Sequence, residues 1–194
     1  MHHSLNKHQL RQAIRRRRIA LTSAQLFDAQ AKLATHARSA NRLMRTSRIL
    51  SYSPFEGEIS PDKLIRQLAN KVVYYPKITN FRLKQMRFYS ANNTCALNKY
   101  GIKEPSTTAK PSQANTFDVL LLPLVAFDRS GTRIGMGAGY YDRALKALVH
   151  QTSTKPYVVG LAHHFQEVKS LKREPWDIPL DAILTDHEFI PILA

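Results

Sequence analysis

Acidic residues are scarce in this chain. Over 194 residues, 14 Asp and Glu stand against 29 Lys and Arg, a formal net charge of +15. Such a surplus attracts polyanions: nucleic acid, acidic membrane, or substrates bearing phosphates or several carboxylates. Cysteine is nearly absent. Cys95 is the only one, so no internal disulfide can form, which suits a reducing, cytoplasmic setting. Long apolar runs are missing too. The longest, Val119 to Phe127, contains Pro123 and falls well short of the ~20 residues that span a bilayer. The N-terminal stretch has no apolar core of the secretory-signal kind. There is no internal repeat, low-complexity tract or Gly/Ser linker, so one domain over residues 1–194 is expected. That length is enough to bury a core without disulfides or metals.

What is present is an alternation of helix and strand patterns. Leu10, Ile14 and Leu21 form an apolar stripe that predicts a helix over 5–20. Its other faces carry Lys7, Arg11 and Arg15 to Arg18. Thr22 and Gln25 make a capping box for a second helix over 23–44, with Leu26, Leu33, Ala37 and Leu43 on its buried face. Residues 48–53 suit a strand, 61–70 a helix, and 72–75 a strand. Residues 84–89 alternate as an edge strand would, and 90–117 are polar and irregular. The apolar run at 118–122 suits a central strand covered on both faces. A glycine loop follows, then a helix over 140–150 and strands at 157–161, 182–185 and 189–193. The pattern predicts an α/β fold: one three-layer domain with a mostly parallel central sheet flanked by helices, and an N-terminal helical pair. Sites in such folds gather at the carboxyl ends of the strands.

Glycine is rare, yet it is concentrated. Of 7 glycines, four lie between Gly131 and Gly139. Glycine permits positive φ and close approach of backbone to ligand. Where such a loop opens a helix, free N–H groups and the helix dipole form an anion site. Gly135, Gly137 and Gly139 sit where phosphates would dock, just before a helix starting near Tyr140. Arg133 adds a fork suited to phosphate. Asp142, in the first helical turn, suits either Mg²⁺ or the helix dipole. The loop is neither a Walker A motif nor a Gly-x-Gly-x-x-Gly dinucleotide fingerprint.

The full string from Leu122 to Arg143, which contains Arg133-Ile-Gly-Met-Gly-Ala-Gly-Tyr-Tyr-Asp142, resembles the signature of the 5-formyltetrahydrofolate cyclo-ligase family. Weaker agreement extends over most of the chain: Lys7 and Arg11, Gly57-Glu58-Ile59, Gly101 to Pro105, and Pro175-Trp176-Asp177. The resemblance implies ATP-dependent cyclisation of 5-formyltetrahydrofolate to 5,10-methenyltetrahydrofolate, with Mg²⁺. It implies that Lys7, Arg11, Arg133 and the loop Ile134, Gly135, Met136, Gly137, Ala138, Gly139, Tyr140 and Tyr141 bind ATP. It places Glu58 on the folate, together with Met136 to Tyr140. Arg133 and Asp142 carry catalysis, and Asp142 and Asp177 match positions associated with the metal. Tyr140 and Tyr141 are expected to stack on a ring or close the cleft, and Gln166 also matches. Ala138 departs from the family's pattern, which often has Gly or Lys there. A cytoplasmic monomer is expected, acting on a folate that can carry a polyglutamate tail.

Plainer readings stand beside these. Arg15 to Arg18 reads as a solvated helix face, Glu58 as a loop carboxylate in water, and Asp177 as a turn cap. His163 and His164 read as surface or cleft histidines, because no partner spacing supports a metal site. Trp176 reads as packing, and Cys95 has no assigned role. The charge alone would also suit a nucleic-acid-binding module, but zinc-finger spacing and RRM aromatics are missing. A sugar-phosphate or acyl-CoA enzyme shares the scaffold type. The glycine string discriminates against both.

Overall fold

Asn6 starts the first helix, α1 (Lys7–Ile19), by accepting hydrogen bonds from the His8 and Gln9 amides in a capping box. The computed structural model describes residues 6–68, 71–90, 95–106, 110–112, 117–150, 155–175 and 177–193. Trp176 and the last two residues of the helix expected over 61–70 lie outside them. The Thr22–Gln25 capping box forms as expected and opens α2 (Ser23–His36). The helix expected to run on to 44 instead tightens into a 3-10 turn at Ala37–Ser39 and restarts as α3 (Asn41–Met44). The break lets Ala37, Ala40 and Leu43 all reach the core.

The remaining elements are β1 (Arg48–Leu50), α4 (Asp62–Gln67), β2 (Val72–Asn80), β3 (Gln85–Ser90), β4 (Cys95–Leu97), β5 (Lys103–Pro105), β6 (Val119–Pro123), β7 (Ala126–Phe127), β8 (Arg133–Ile134), α5 (Tyr140–His150), β9 (Tyr157–Ala162), β10 (Ala182–Thr185) and β11 (Phe189–Pro191). The main sheet has the order β11-β10-β9-β6-β1-β2-β3. Its five inner strands are parallel, and β3 and β11 close the edges antiparallel. β2 outruns the expected 72–75. It pairs with β1 only through Tyr74, and beyond that point Pro76 is paired in a ladder with β3 alone. A proline, which has no N–H to donate, is tolerated where one ladder has ended. Two small hairpins, β4–β5 and β7–β8, lie outside the main sheet.

Alternate residues of the inner strands face opposite layers. Ile49, Val119, Leu121, Val159, Leu161, Ala182 and Leu184 pack with Leu33, Leu43 and Leu64 of α2, α3 and α4. Leu50, Leu120, Leu122, Val158 and Ile183 face the other side, where Tyr141 and Ala144 of α5 pack. A third cluster joins Ile14 of α1 to Val125, Ala126 and Ile134 of the β7–β8 hairpin. This docks the first helix over the carboxyl ends of the strands.

Candidate active site

Strand order reverses between β1 and β6: the chain moves from β1 to β2 on one side and from β6 through β9 to β10 on the other. The two outgoing chains part there and leave a crevice, the preferred ligand position in open α/β sheets. The segment after β1 carries Glu58 on one wall. Leu124 follows β6 on the other wall, and His163 follows β9.

The glycine loop does not leave the central strand directly, as the sequence pattern suggests. It leaves the β7–β8 hairpin, which lifts it over the crevice. Gly137 and Gly139 have φ of 93° and 74°, a region that a side chain disfavours. Residues 135–138 are exposed and run into the start of α5. Arg11 of α1 crosses to this loop, its Nε donating to Gly135 O at 2.9 Å. Lys7, one turn earlier, pairs with Glu174 at 3.2 Å. The i, i+4 pair therefore faces the loop and the segment leading to Asp177.

Arg133 sits at the base of the loop with its side chain 7% exposed. It donates to Ile178 O and pairs with Asp142 at 3.0 Å. Burial lowers its pKa, and Asp142 and Asp177 oppose the shift. Asp142 contacts the guanidinium directly, and Asp177 acts on it through its charge. Asp177 also accepts from the Glu174 amide, as the turn-cap reading expected. Ile134 serves packing rather than solvent: it is buried against α1, and its carbonyl accepts from Val125 N. The two tyrosines diverge. Tyr140 has its hydroxyl pushed up to about 12, mainly through desolvation, with Tyr100 adding to the shift. Tyr141 does not stand open for stacking; it packs between the two core clusters, and burial drives its hydroxyl pKa far up.

Glu58 is not a loop carboxylate in water. Its side chain is 9% exposed and lies 3.5 Å from Arg18. Desolvation raises its pKa to about 7, against the opposing pull of Arg18 and the Phe55 amide. A carboxyl raised above its unfolded value stabilises the fold fully below pH ~4.5, and that contribution is lost as pH rises through about 7. Tyr52, directly after β1, fixes the same segment by donating to Ile59 O at 2.5 Å.

The arginine run is likewise not one solvated face. Arg16 and Arg17 are exposed, but Arg15 binds Glu56 at 2.6 Å and Arg18 is fully buried. The one trace of this in the sequence is register: Arg18 follows Ile14 by four residues, on the apolar stripe. His163 is buried as well, with Nε2 2.9 Å from Gly57 O, while His164 is exposed. Gln166 is buried and donates to both Leu124 O and Val125 O at 2.8 Å, tying β9 to the end of β6.

Among the described residues, the three-residue group with metal-ligand spacing is His164, Glu167 and Glu188, which sequence spacing did not reveal. Arg129 already neutralises both of its carboxylates. Asp142 and Asp177 are a different kind of donor set: two carboxylates beside a phosphate-type loop. That fits Mg²⁺, which typically takes one or two carboxylates and completes its shell with water and substrate phosphates.

A parallel sheet with its crevice at the switch point, roofed by a glycine loop and lined with cations, defines a phosphate-handling α/β protein. The family model described as the 5-formyltetrahydrofolate cyclo-ligase family matches residues 3–186, and the chain belongs to that family. It is 37% identical over 184 residues to a 5-formyltetrahydrofolate cyclo-ligase of Haemophilus influenzae, covering 92% of this chain and 96% of the relative. An Escherichia coli cyclo-ligase is also 37% identical, over 177 residues, 89% and 96% of the two chains. The solved 5,10-methenyltetrahydrofolate synthetase of Aquifex aeolicus superposes with a TM-score of 0.80 at 27% identity, over 98% of this chain and 94% of that one. The Mycoplasma pneumoniae synthetase gives 0.72 at 25% identity, over 94% and 99%.

Proposed function

We propose that this protein uses ATP to cyclise 5-formyltetrahydrofolate to 5,10-methenyltetrahydrofolate, releasing ADP and phosphate. One observation carries the reading beyond family membership: Arg11, Arg133 and the glycine loop meet over the crevice whose wall bears Glu58. The formyl group on N5 is amide-like and a poor electrophile. Transfer of the γ-phosphoryl to its oxygen gives an imidate-like phosphate and ADP. N10 then attacks that carbon, loses its proton, and phosphate leaves with the C–O bond. Little covalent work falls to the protein, so positioning and charge neutralisation supply most of the catalysis. The loop amides and Arg11 hold the phosphates, Arg133 neutralises charge on the transferred group, and Glu58 grips the folate. Asp142 and Asp177 would hold Mg²⁺, which would supply further charge neutralisation for the phosphates. The protein works in this reading as a cytoplasmic monomer, and no described helix is long and apolar enough to cross a membrane.

The direct test is methenyl-folate formation from 5-formyltetrahydrofolate with and without ATP and Mg²⁺; no ATP-dependent product would sink the proposal. Asp142→Asn should raise the Mg²⁺ needed for half-maximal rate by about tenfold or more. An unchanged Mg²⁺ requirement removes Asp142 from the metal. The +15 surplus gives a further expectation. The rate on polyglutamylated substrate should fall more steeply with salt than the rate on monoglutamate, because each added carboxylate extends the screened attraction. Equal salt slopes would show that the surface charge does not capture the tail.

A further inference from the structure

We propose that Arg18 is a positioning residue of this site: it bridges the two walls of the crevice between β1 and β6 and holds Glu58 in place and ionised for the folate. The inference rests on the cyclo-ligase reading for the substrate, but the contacts themselves do not.

Arg18 comes from the last turn of α1, yet its side chain has no exposed surface. Its guanidinium spans the switch point. Nε donates to Glu56 O at 3.0 Å on the β1 side, and NH1 donates to Leu124 O at 3.4 Å on the β6 side. NH1 also lies 3.5 Å from Glu58 Oε1, and NH2 reaches Met136 Sδ of the glycine loop at 3.8 Å. One side chain thus touches both walls and the roof. The planar fork of arginine permits this; lysine has a single point of contact. The backbone of Arg18 takes part as well, since Gly57 is seated against its carbonyl.

The arrangement gives Arg18 a role separable from packing. A buried carboxylate without a partner protonates instead of staying charged. Other groups face Glu58. Glu56, in its own loop, repels it, Arg15 is committed to Glu56, and Tyr52 and Tyr141 are neutral hydroxyls whose own pKa values are raised. His163 binds Gly57 O, and burial lowers its pKa. Arg18 is therefore the cation that favours the ionised form of Glu58. An ionised carboxylate is the acceptor that the adjacent N–H donors of a pterin ring require.

The test is a double-mutant cycle of Arg18→Met and Glu58→Gln, read as kcat/KM for 5-formyltetrahydrofolate against pH with ATP saturating. In the wild type the rate should rise with pH through about 7 as Glu58 ionises. Arg18→Met should raise the folate KM by about tenfold or more, leave the ATP KM within about twofold, and move the acid limb to higher pH. In the Glu58→Gln background the same change should cost less than about threefold. Losses that multiply independently, or an acid limb that stays put, would overturn the proposal. If Arg18→Met does not fold, Arg18→Lys takes its place and should show the same coupling at smaller size. A second measurement separates this proposal from the assigned activity. The ¹³C-labelled Glu58 carboxyl should titrate near 7 in wild type and higher in the Arg18 variant, whatever the enzyme turns over. That shift in a protein inactive on folate defeats the assigned reaction and keeps the Arg18–Glu58 link. Its absence in an active protein defeats the link.

Discussion

Arg133→Met should lower kcat by about a thousandfold while the fold survives. The expected loss is that of removing a preorganised cation from developing charge in a water-poor site. Arg133 is held by the Ile178 carbonyl and by Asp142, so it need not reorganise when the phosphoryl group moves. The stability cost should be small by comparison. The partner left behind, Asp142, is half exposed and can be solvated by water. Arg133→Lys keeps the charge but loses the fork, and should fall between the two extremes. Thermal unfolding followed beside single-turnover rates checks both halves of the claim. A variant that loses stability and rate in parallel would place Arg133 in the scaffold. A variant with normal turnover would remove it from catalysis.

Gly57→Ala should be the most damaging alanine substitution among the glycines. Gly57 has φ +71°, and a Cβ there would lie 2.2 Å from the Arg18 carbonyl oxygen and 2.7 Å from its carbon. Both atoms are backbone in a helix that is docked at its other contacts, so neither can give way cheaply. The expected loss is about 3 kcal/mol or more, combining left-handed strain with the clash. Gly101 supplies the control. Its φ is +79°, but a Cβ there meets nothing within 4 Å, so Gly101→Ala should cost only about 1 kcal/mol. Urea unfolding of both variants isolates the contact from the conformation. Equal losses would show that backbone strain alone sets the requirement for glycine at 57.

The sequence shows the architecture well where burial dominates. β6, β9 and β10 are apolar on both faces and identify themselves, and the Thr22–Gln25 box marks the start of α2. Elements held by tertiary contacts are harder to see. No proline or glycine marks the break at Ala37–Ser39, because the change of direction serves the packing of Ala37 and Leu43. The two-residue strands of the β7–β8 hairpin are too short for any period to register. The site divides the same way. The glycine loop and Arg133 stand out because four of the 7 glycines crowd beside one arginine, the pattern the proposed phosphate site would use. Arg18 is hidden because a run of four arginines reads as a charged surface, and only its register with Leu10 and Ile14 separates it from Arg16 and Arg17. The environment of Glu58 is invisible for a related reason: its raised pKa comes from walls supplied by distant segments.

The docking of α1 has a thermodynamic side. The helix lends Lys7, Arg11 and Arg18 to the crevice, yet its apolar anchorage is small: Ile14, helped by Leu10, against Val125, Ala126 and Ile134. Part of its seating is polar contact with segments a nucleotide would touch in the proposed reaction, Arg11 with the Gly135 carbonyl and Lys7 with Glu174. In the proposed reaction, helix seating and nucleotide affinity are linked equilibria, so each must strengthen the other by the same factor.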